Sequence, residues 1–232
     1  LAIAARRPGL LDGPLGAERV FTYANGSVRM HTERSVDKTA LGLFIAKFLP
    51  DHKAFPERMR AAAGMLEMAR IPLEAGSGAT LLLVPDAHAV AGIGTVKHRA
   101  LAASTKHLTK AFEGNLAEQA VCASARLSLI DGALLVNEHA VPTAAGVMIS
   151  AAADPNQPVD IFDPLHRDAP PHKIKFNEFG GGARHRSALS FCAENPGAVA
   201  LIVSHDGVMS IAVRPSNTDP IAVIRPIRLV DV

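Results

Sequence analysis

Two short segments hold residue types suited to chemistry on a charged ligand. The first is Gly180-Gly181-Gly182-Ala183-Arg184-His185-Arg186. Its glycines let a backbone approach a ligand closely and take φ values closed to other residues. A helix opening at this point presents free N–H groups and a partial positive charge. Cations are normally disfavoured in such a first turn, so Arg184, His185 and Arg186 cost stability there unless an anion binds; phosphate fits best. The plainer alternative is a flexible surface turn with solvated arginines. The second segment is Asp131-Gly132-Ala133, at the start of the apolar run Ala133–Val136. A carboxylate at a strand edge, followed by two minimal side chains, suits a metal ion or a ribose hydroxyl brought near the backbone. Taken alone, a turn aspartate capping a loop explains Asp131 better.

Other matches carry less. Gly92-Ile93-Gly94 precedes Thr95-Val96-Lys97-His98-Arg99 but lacks the spacing of a P-loop or of a dinucleotide fingerprint. Ser204-His205-Asp206 holds the residue types of a catalytic triad, yet neighbours in an extended chain point to opposite faces. The 10 histidines show no zinc spacing. His166 and His172 read as solvated loop residues.

These segments need elements to hold them. The spacing predicts a loose, Gly/Pro-punctuated stretch over residues 1–18, then a hairpin from Val20–Tyr23 and Val28–His31 around Asn25-Gly26. Short and longer helices follow at Leu41–Leu49 and Glu57–Arg70, the latter burying Met65, Leu66 and Met68. Gly76-Ser77-Gly78 breaks the chain. Ala79–Val84 and Val90–Val96 read as strands, and Arg99–Phe112 and Leu116–Leu127 as helices. Asp131–Val136 and Val141–Ser150 are strands around a turn at Asn137-Glu138. Pro155, Pro158, Pro164, Pro170 and Pro171 make Ala151–Glu178 a long loop, a lid or contact arm in function. Ala183–Glu194 is a helix, Ala198–Ser204 and Gly207–Val213 a returning strand pair with a turn at His205-Asp206. Pro215–Pro220 is a turn and Ile221–Leu229 a last extended segment. Interleaved strands and helices argue for an α/β fold around a mostly buried sheet.

Composition bounds the rest. The 232 residues are 48% hydrophobic and 20% charged, enough for a sizeable core. No apolar run reaches a membrane span. A net charge of +2, scattered basic residues and no Trp give no footing for nucleic acid. Cys122 and Cys192 read as reduced core residues, which points to a cytoplasmic protein. Residues 1–15 have no apolar region of a signal peptide. The chain opens with Leu1, as a fragment or processed chain would.

Together and in this order, the two segments resemble the diadenylate cyclase (DAC) domain family. That family carries Asp-Gly-Ala after a helix and Arg-His-Arg opening a later one. Here Leu129-Ile130-Asp131-Gly132-Ala133-Leu134-Leu135-Val136 and Gly182-Ala183-Arg184-His185-Arg186-Ser187-Ala188-Leu189 carry the likeness. Ala200-Leu201-Ile202-Val203-Ser204 resembles the family's strand ending in serine, and Gly78–Val84 stands where its first core strand would. The likeness covers roughly residues 60–215. Ala183 replaces the usual Thr, Ile130 a common His, and His205-Asp206 stand where some members have acidic residues. The Ala151–Phe179 segment is also longer.

The resemblance implies a mixed central sheet flanked by helices over residues 57–232, with residues 1–56 a small α+β appendage. It implies condensation of two ATP into cyclic di-AMP with release of pyrophosphate, in a face-to-face homodimer or higher homo-oligomer, with Mg²⁺ or Mn²⁺. Asp131 would hold the metal. Gly132 and Ala133 would admit the nucleotide, with Gly182, Ala183 and Ser204 as further nucleotide contacts. Arg184 and Arg186 would hold phosphates. His185 would either touch phosphate or order the loop. The alternative is a catalytically inactive DAC-like module that binds and senses a nucleotide.

Overall fold

The chain's apolar runs become strands because they can be buried from both sides. The computed structural model describes residues 4–7, 10–14, 20–24, 27–31, 34–49, 54–84, 93–98, 117–150, 156–164, 170–179, 182–205 and 207–230. Among these are fourteen strands in two sheets.

The first sheet is an antiparallel meander of β1 (Ala4–Arg7), β2 (Leu10–Pro14), β3 (Val20–Ala24) and β4 (Ser27–His31). The expected hairpin is β3–β4, paired from Val20↔His31 to Ala24↔Ser27; its Asn25-Gly26 turn lies outside the described residues. The loose stretch expected over residues 1–18 instead contains β1 and β2. Glycine and proline punctuate short strands as readily as loops, which is why this stretch misled.

The second sheet has ten strands. They are β5 (Arg34–Asp37), β6 (Ala79–Leu83), β7 (Ile93–His98), β8 (Ala133–Val136) and β9 (Pro142–Ile149), followed by β10 (Pro158–Phe162), β11 (His172–Lys175), β12 (Val199–Val203), β13 (Met209–Val213) and β14 (Ile221–Val230). Their order is β11-β10-β14-β13-β12-β6-β8-β9-β7, with β5 also on β14. The β6–β8, β10–β14 and β5–β14 pairs are parallel and the others antiparallel. The protein is thus mixed α/β. β7 sits later than the expected Val90–Val96, and the helix expected at Arg99–Phe112 lies outside the described residues.

Side-chain alternation divides the core. Leu81, Leu83, Leu134, Val136, Leu201 and Val203 face α1 (Lys38–Ala46), α2 (Phe55–Glu74) and α3 (Ala117–Leu127). Leu82, Ala133, Leu135, Ala200 and Ile202 face α4 (Ala183–Glu194). Met65, Leu66 and Met68 of α2 are buried as expected. The helix outruns Glu57–Arg70 at both ends. Pro56 fits its first turn, where no N–H is needed. Gly76, at φ 61°, closes the other end: its N–H bonds the Leu73 carbonyl, and that of Ser77 bonds the Pro72 carbonyl.

Two boundaries need correction. The Ala151–Glu178 loop contains β10 and β11, paired from Pro158↔Lys175 to Ile161↔His172, and a 3-10 turn at Phe176–Glu178. Pro158 is tolerated because it opens its strand. Exposed Lys173 and Lys175 suit β11, at the sheet's edge. The division expected at residue 56 also does not coincide with a structural joint. β5 pairs with β14 through Arg34–Asp37, and Leu41, Ile45 and Leu49 lie in the core beside α2.

Candidate functional site

The site forms where strand ends meet the start of α4. Thr80 pairs with Ala133 on one side and with Ile202 on the other, so the three side chains form one row on the α4 face. This row floors a cavity of about 490 Å³. Val147, Met148 and Ile149 of β9 form one wall. Gly182, Ala183, Arg184, His185 and Ser187 form another, and Ser204 and His205 close the end of β12. The volume suits a nucleotide-sized ligand.

Asp131 lies at this cavity, exposed, just before β8. The strand starts at Ala133 rather than at the expected Asp131, because Gly132 takes φ 111°. That glycine has a packing reason of its own. A Cβ on Gly132 would lie 2.7 Å from the carbonyl carbon of Gly146, 2.9 Å from its Cα and 3.0 Å from the Val147 nitrogen. The space that the missing side chain leaves is filled by the backbone of β9. Ala133 is buried in the floor.

Helix α4 opens on Gly182, whose carbonyl accepts from the N–H groups of His185 (3.1 Å) and Arg186 (3.4 Å). No side chain caps it and its first turn has no acid, so its partial positive charge faces the cavity uncompensated by its own residues. A Cβ on Gly182 would meet nothing within 4 Å. The flanking Gly180 and Gly181 lie outside the described residues.

The three basic residues diverge. Arg184 lines the cavity and its Nη1 lies 3.2 Å from His205 Nε2. His185 also lines the cavity, and its Nε2 lies 3.3 Å from Ser210 Oγ of β13. Arg186 is exposed and not among the cavity-lining residues. Ser187 Oγ donates to the Arg184 carbonyl (3.1 Å), which ties the first turn together. Ser204 lines the cavity, and its N–H donates to the Val208 carbonyl at 2.9 Å.

Behind the helix start, Phe179 is buried under the Arg225 guanidinium, whose Cζ stands 3.9 Å from the ring centroid. Burial lowers the pKa of Arg225 from its ordinary value. Cys192 lies fully buried in α4, with Sγ 3.3 Å from the Ala212 carbonyl, and burial pushes its thiol up to about 12. The side chain of Cys122 is outside the described residues.

Asp131 is the one acidic side chain among the described cavity-lining residues. No three His, Cys, Asp or Glu among the described residues cluster as metal ligands. Mg²⁺ is commonly held by one or two carboxylates together with substrate phosphates. Asp131 is thus the described carboxylate at the cavity that could hold such a cation.

The sequence reading missed Gly78 and His205 as site residues. A Cβ on Gly78 would lie 2.6 Å from Arg184 Nη1, 3.0 Å from its Cζ and 3.0 Å from His205 Nε2. The signal was in the strand pairing: Val203↔Ala79 sets the end of β12 beside the start of β6.

Among the described residues, no helix is long and apolar enough to cross a membrane. The sequence matches no protein-family model and no curated protein. Among solved structures, the chain is similar to a hypothetical membrane spanning protein from Bacillus cereus. The two share 16% identity at a TM-score of 0.35, over 73% of this chain and 69% of that one, a likeness too slight to bear on function.

Proposed function

We propose that the protein is a diadenylate cyclase, which condenses two ATP into cyclic di-AMP and releases two pyrophosphates. One observation carries this reading. Asp131–Ala133 and Gly182–His185, distant in sequence, line the same cavity at the start of α4. The cavity combines a carboxylate, an arginine, a helix N-terminus and an apolar wall, which together suit a nucleotide triphosphate with its cation.

Arg184 and the first N–H groups of α4 would hold phosphate oxygens and stabilise the charge that gathers on the departing pyrophosphate. Asp131 would hold the Mg²⁺ or Mn²⁺, which supplies charge neutralisation at the α-phosphate when bound. Val147, Met148 and Ile149 would exclude water from the base or ribose. Two subunits face to face would each bring one ATP, so that the 3′-hydroxyl of one meets the α-phosphate of the other. Positioning and charge supply most of the catalysis in such transfers.

A nucleotide-binding module without turnover is the second reading. Ala183 offers the cavity a methyl group where the resembled family has a hydroxyl, and Arg186 stands outside the lining. Purified protein incubated with ATP and Mn²⁺ or Mg²⁺, its products read by mass spectrometry, separates the two. Cyclic di-AMP from the wild type but not from Asp131→Asn supports the cyclase. Saturable ATP binding, weakened by Arg184→Ala, with no product under either metal would support the module instead.

A further inference from the structure

We propose that Thr80 is a phosphate-binding residue, whose hydroxyl donates to a phosphate oxygen held beside Arg184. This rests on the nucleotide reading above and adds to it a residue outside both motifs.

Thr80 lies in the middle of the sheet and is 3% exposed. Strand alternation puts its side chain on the α4 face with Leu82, between Ala133 and Ile202 in the row that floors the cavity. Both neighbours in that row are apolar. A valine of nearly the same shape would pack there with no hydroxyl to desolvate. Two other buried hydroxyls are satisfied within the fold: Ser128 Oγ donates to the Ala125 carbonyl at 2.6 Å, and Ser210 Oγ lies 3.3 Å from His185 Nε2. None of the described residues hydrogen-bonds the Thr80 hydroxyl. A buried polar group left in that state is unfavourable until a ligand completes it, and Thr80 has the cavity in front of it. Ser190 Oγ is also buried without a partner among the described residues, but Ser190 does not line the cavity.

The surroundings of the hydroxyl set the ligand chemistry. The Arg184 guanidinium lies over Gly78, where a Cβ would stand 2.6 Å from Nη1 and 3.0 Å from Cζ. Thr80 follows two residues later, about 7 Å along an extended chain. A phosphate hydrogen-bonded to the guanidinium spans that gap and brings an oxygen to the hydroxyl. On the other side of the floor stand the apolar residues Val147, Met148 and Ile149. Thr80 is therefore placed between the cationic end of the cavity and its apolar wall, where phosphate joins the sugar of a nucleotide. Facing an anion, the hydroxyl donates, and such a bond is stronger than one between neutral groups.

The test is calorimetric titration of the full chain with ATP, inorganic pyrophosphate and adenosine in the presence of Mg²⁺, alongside urea unfolding without ligand. The expected result is that Thr80→Val weakens ATP and pyrophosphate about tenfold, the loss of one hydrogen bond to a charged group. Adenosine, which lacks phosphate, binds wild type and variant alike. Thr80→Val unfolds at a urea midpoint no lower than that of the wild type, since it removes a hydroxyl that the fold leaves unpaired. Thr80→Ser, which keeps the hydroxyl, keeps most of the affinity. A lower midpoint in Thr80→Val, or an equal loss for adenosine, overturns the inference, the first by showing a structural role and the second by placing the hydroxyl at the sugar or base. Loss of ATP affinity in Arg184→Ala with none in Thr80→Val also overturns it and leaves the nucleotide reading standing. Pyrophosphate binding that depends on Thr80, without binding of ATP or adenosine, supports the phosphate contact and overturns the nucleotide reading. Binding of none of the three overturns both.

Discussion

Gly132→Ala tests whether the glycine of the Asp-Gly-Ala segment serves a ligand or the sheet. The structure argues for the sheet. Gly132 has φ 111°, where an alanine is strained by about 1–2 kcal/mol. Its new methyl would also stand 2.7 Å from the carbonyl carbon of Gly146 and 3.0 Å from the Val147 nitrogen. Those are backbone atoms of β9, paired with β8 through Ala133↔Val147, so relief requires strands to part. Overpacking of this kind costs about 1–3 kcal/mol. The sum is about 2–5 kcal/mol, or a melting temperature lower by roughly 5–15 °C in a chain of this size. Urea unfolding followed by circular dichroism, with no nucleotide present, measures it. Hydrogen exchange should show the loss first in residues 133–136 and 142–149. A variant as stable as the wild type, but unable to bind nucleotide, would refute the packing argument and return Gly132 to the ligand. Gly182→Ala is the control, since its methyl meets nothing within 4 Å; it should change stability by under about 1 kcal/mol.

Other outcomes follow from single contacts. Ser190 Oγ is buried without a hydrogen-bond partner among the described residues, so Ser190→Ala should raise stability by about 1 kcal/mol in urea unfolding. Cys192 should resist alkylation in the native state at pH 8 and react once unfolded, read on its own peptide by mass spectrometry. Its folded pKa lies above the unfolded one, so its stabilising contribution is complete below about pH 9 and lost as pH rises toward about 12. Over that window wild-type stability should fall more steeply than that of Cys192→Ala, by about 1.4 kcal/mol per pH unit. Arg225→Gln removes the cation over Phe179 and should cost about 1–2 kcal/mol of stability, measured by the same unfolding assay.

What the sequence made legible follows from how local each signal is. The apolar runs at Ala79–Val84 and Ala198–Ser204 announced central strands because both faces are buried, and burial needs only apolar residues. The start of α4 was legible because a glycine N-cap and a basic first turn lie within a few residues. β10 and β11 were not, since edge strands tolerate the prolines and lysines that otherwise mark loops. Asp131, Arg184 and His185 were legible as candidates from their types and spacing, whereas the His185 contact to Ser210 of β13 was not. Gly78 and His205 stayed hidden because their meaning lies in each other. Only antiparallel pairing of β6 with β12 brings residues so far apart within hydrogen-bond distance.

The β14 strand holds three neighbours at once. β13 lies along one edge, while β10 and β5 take successive stretches of the other, from Ile161↔Ile221 to Asp37↔Val230. It is also the last of the described strands to leave the ribosome. Until it emerges, β13, β10 and β5 each have an edge with nothing to pair, and β5 must wait for a partner separated from it by almost the whole chain. Formation of the long-range ladders is therefore a late event in biogenesis, slowed by the entropy of closing so large a loop. A nascent chain stalled before Ile221 would carry three open edges together, the form most exposed to aggregation and most dependent on chaperones.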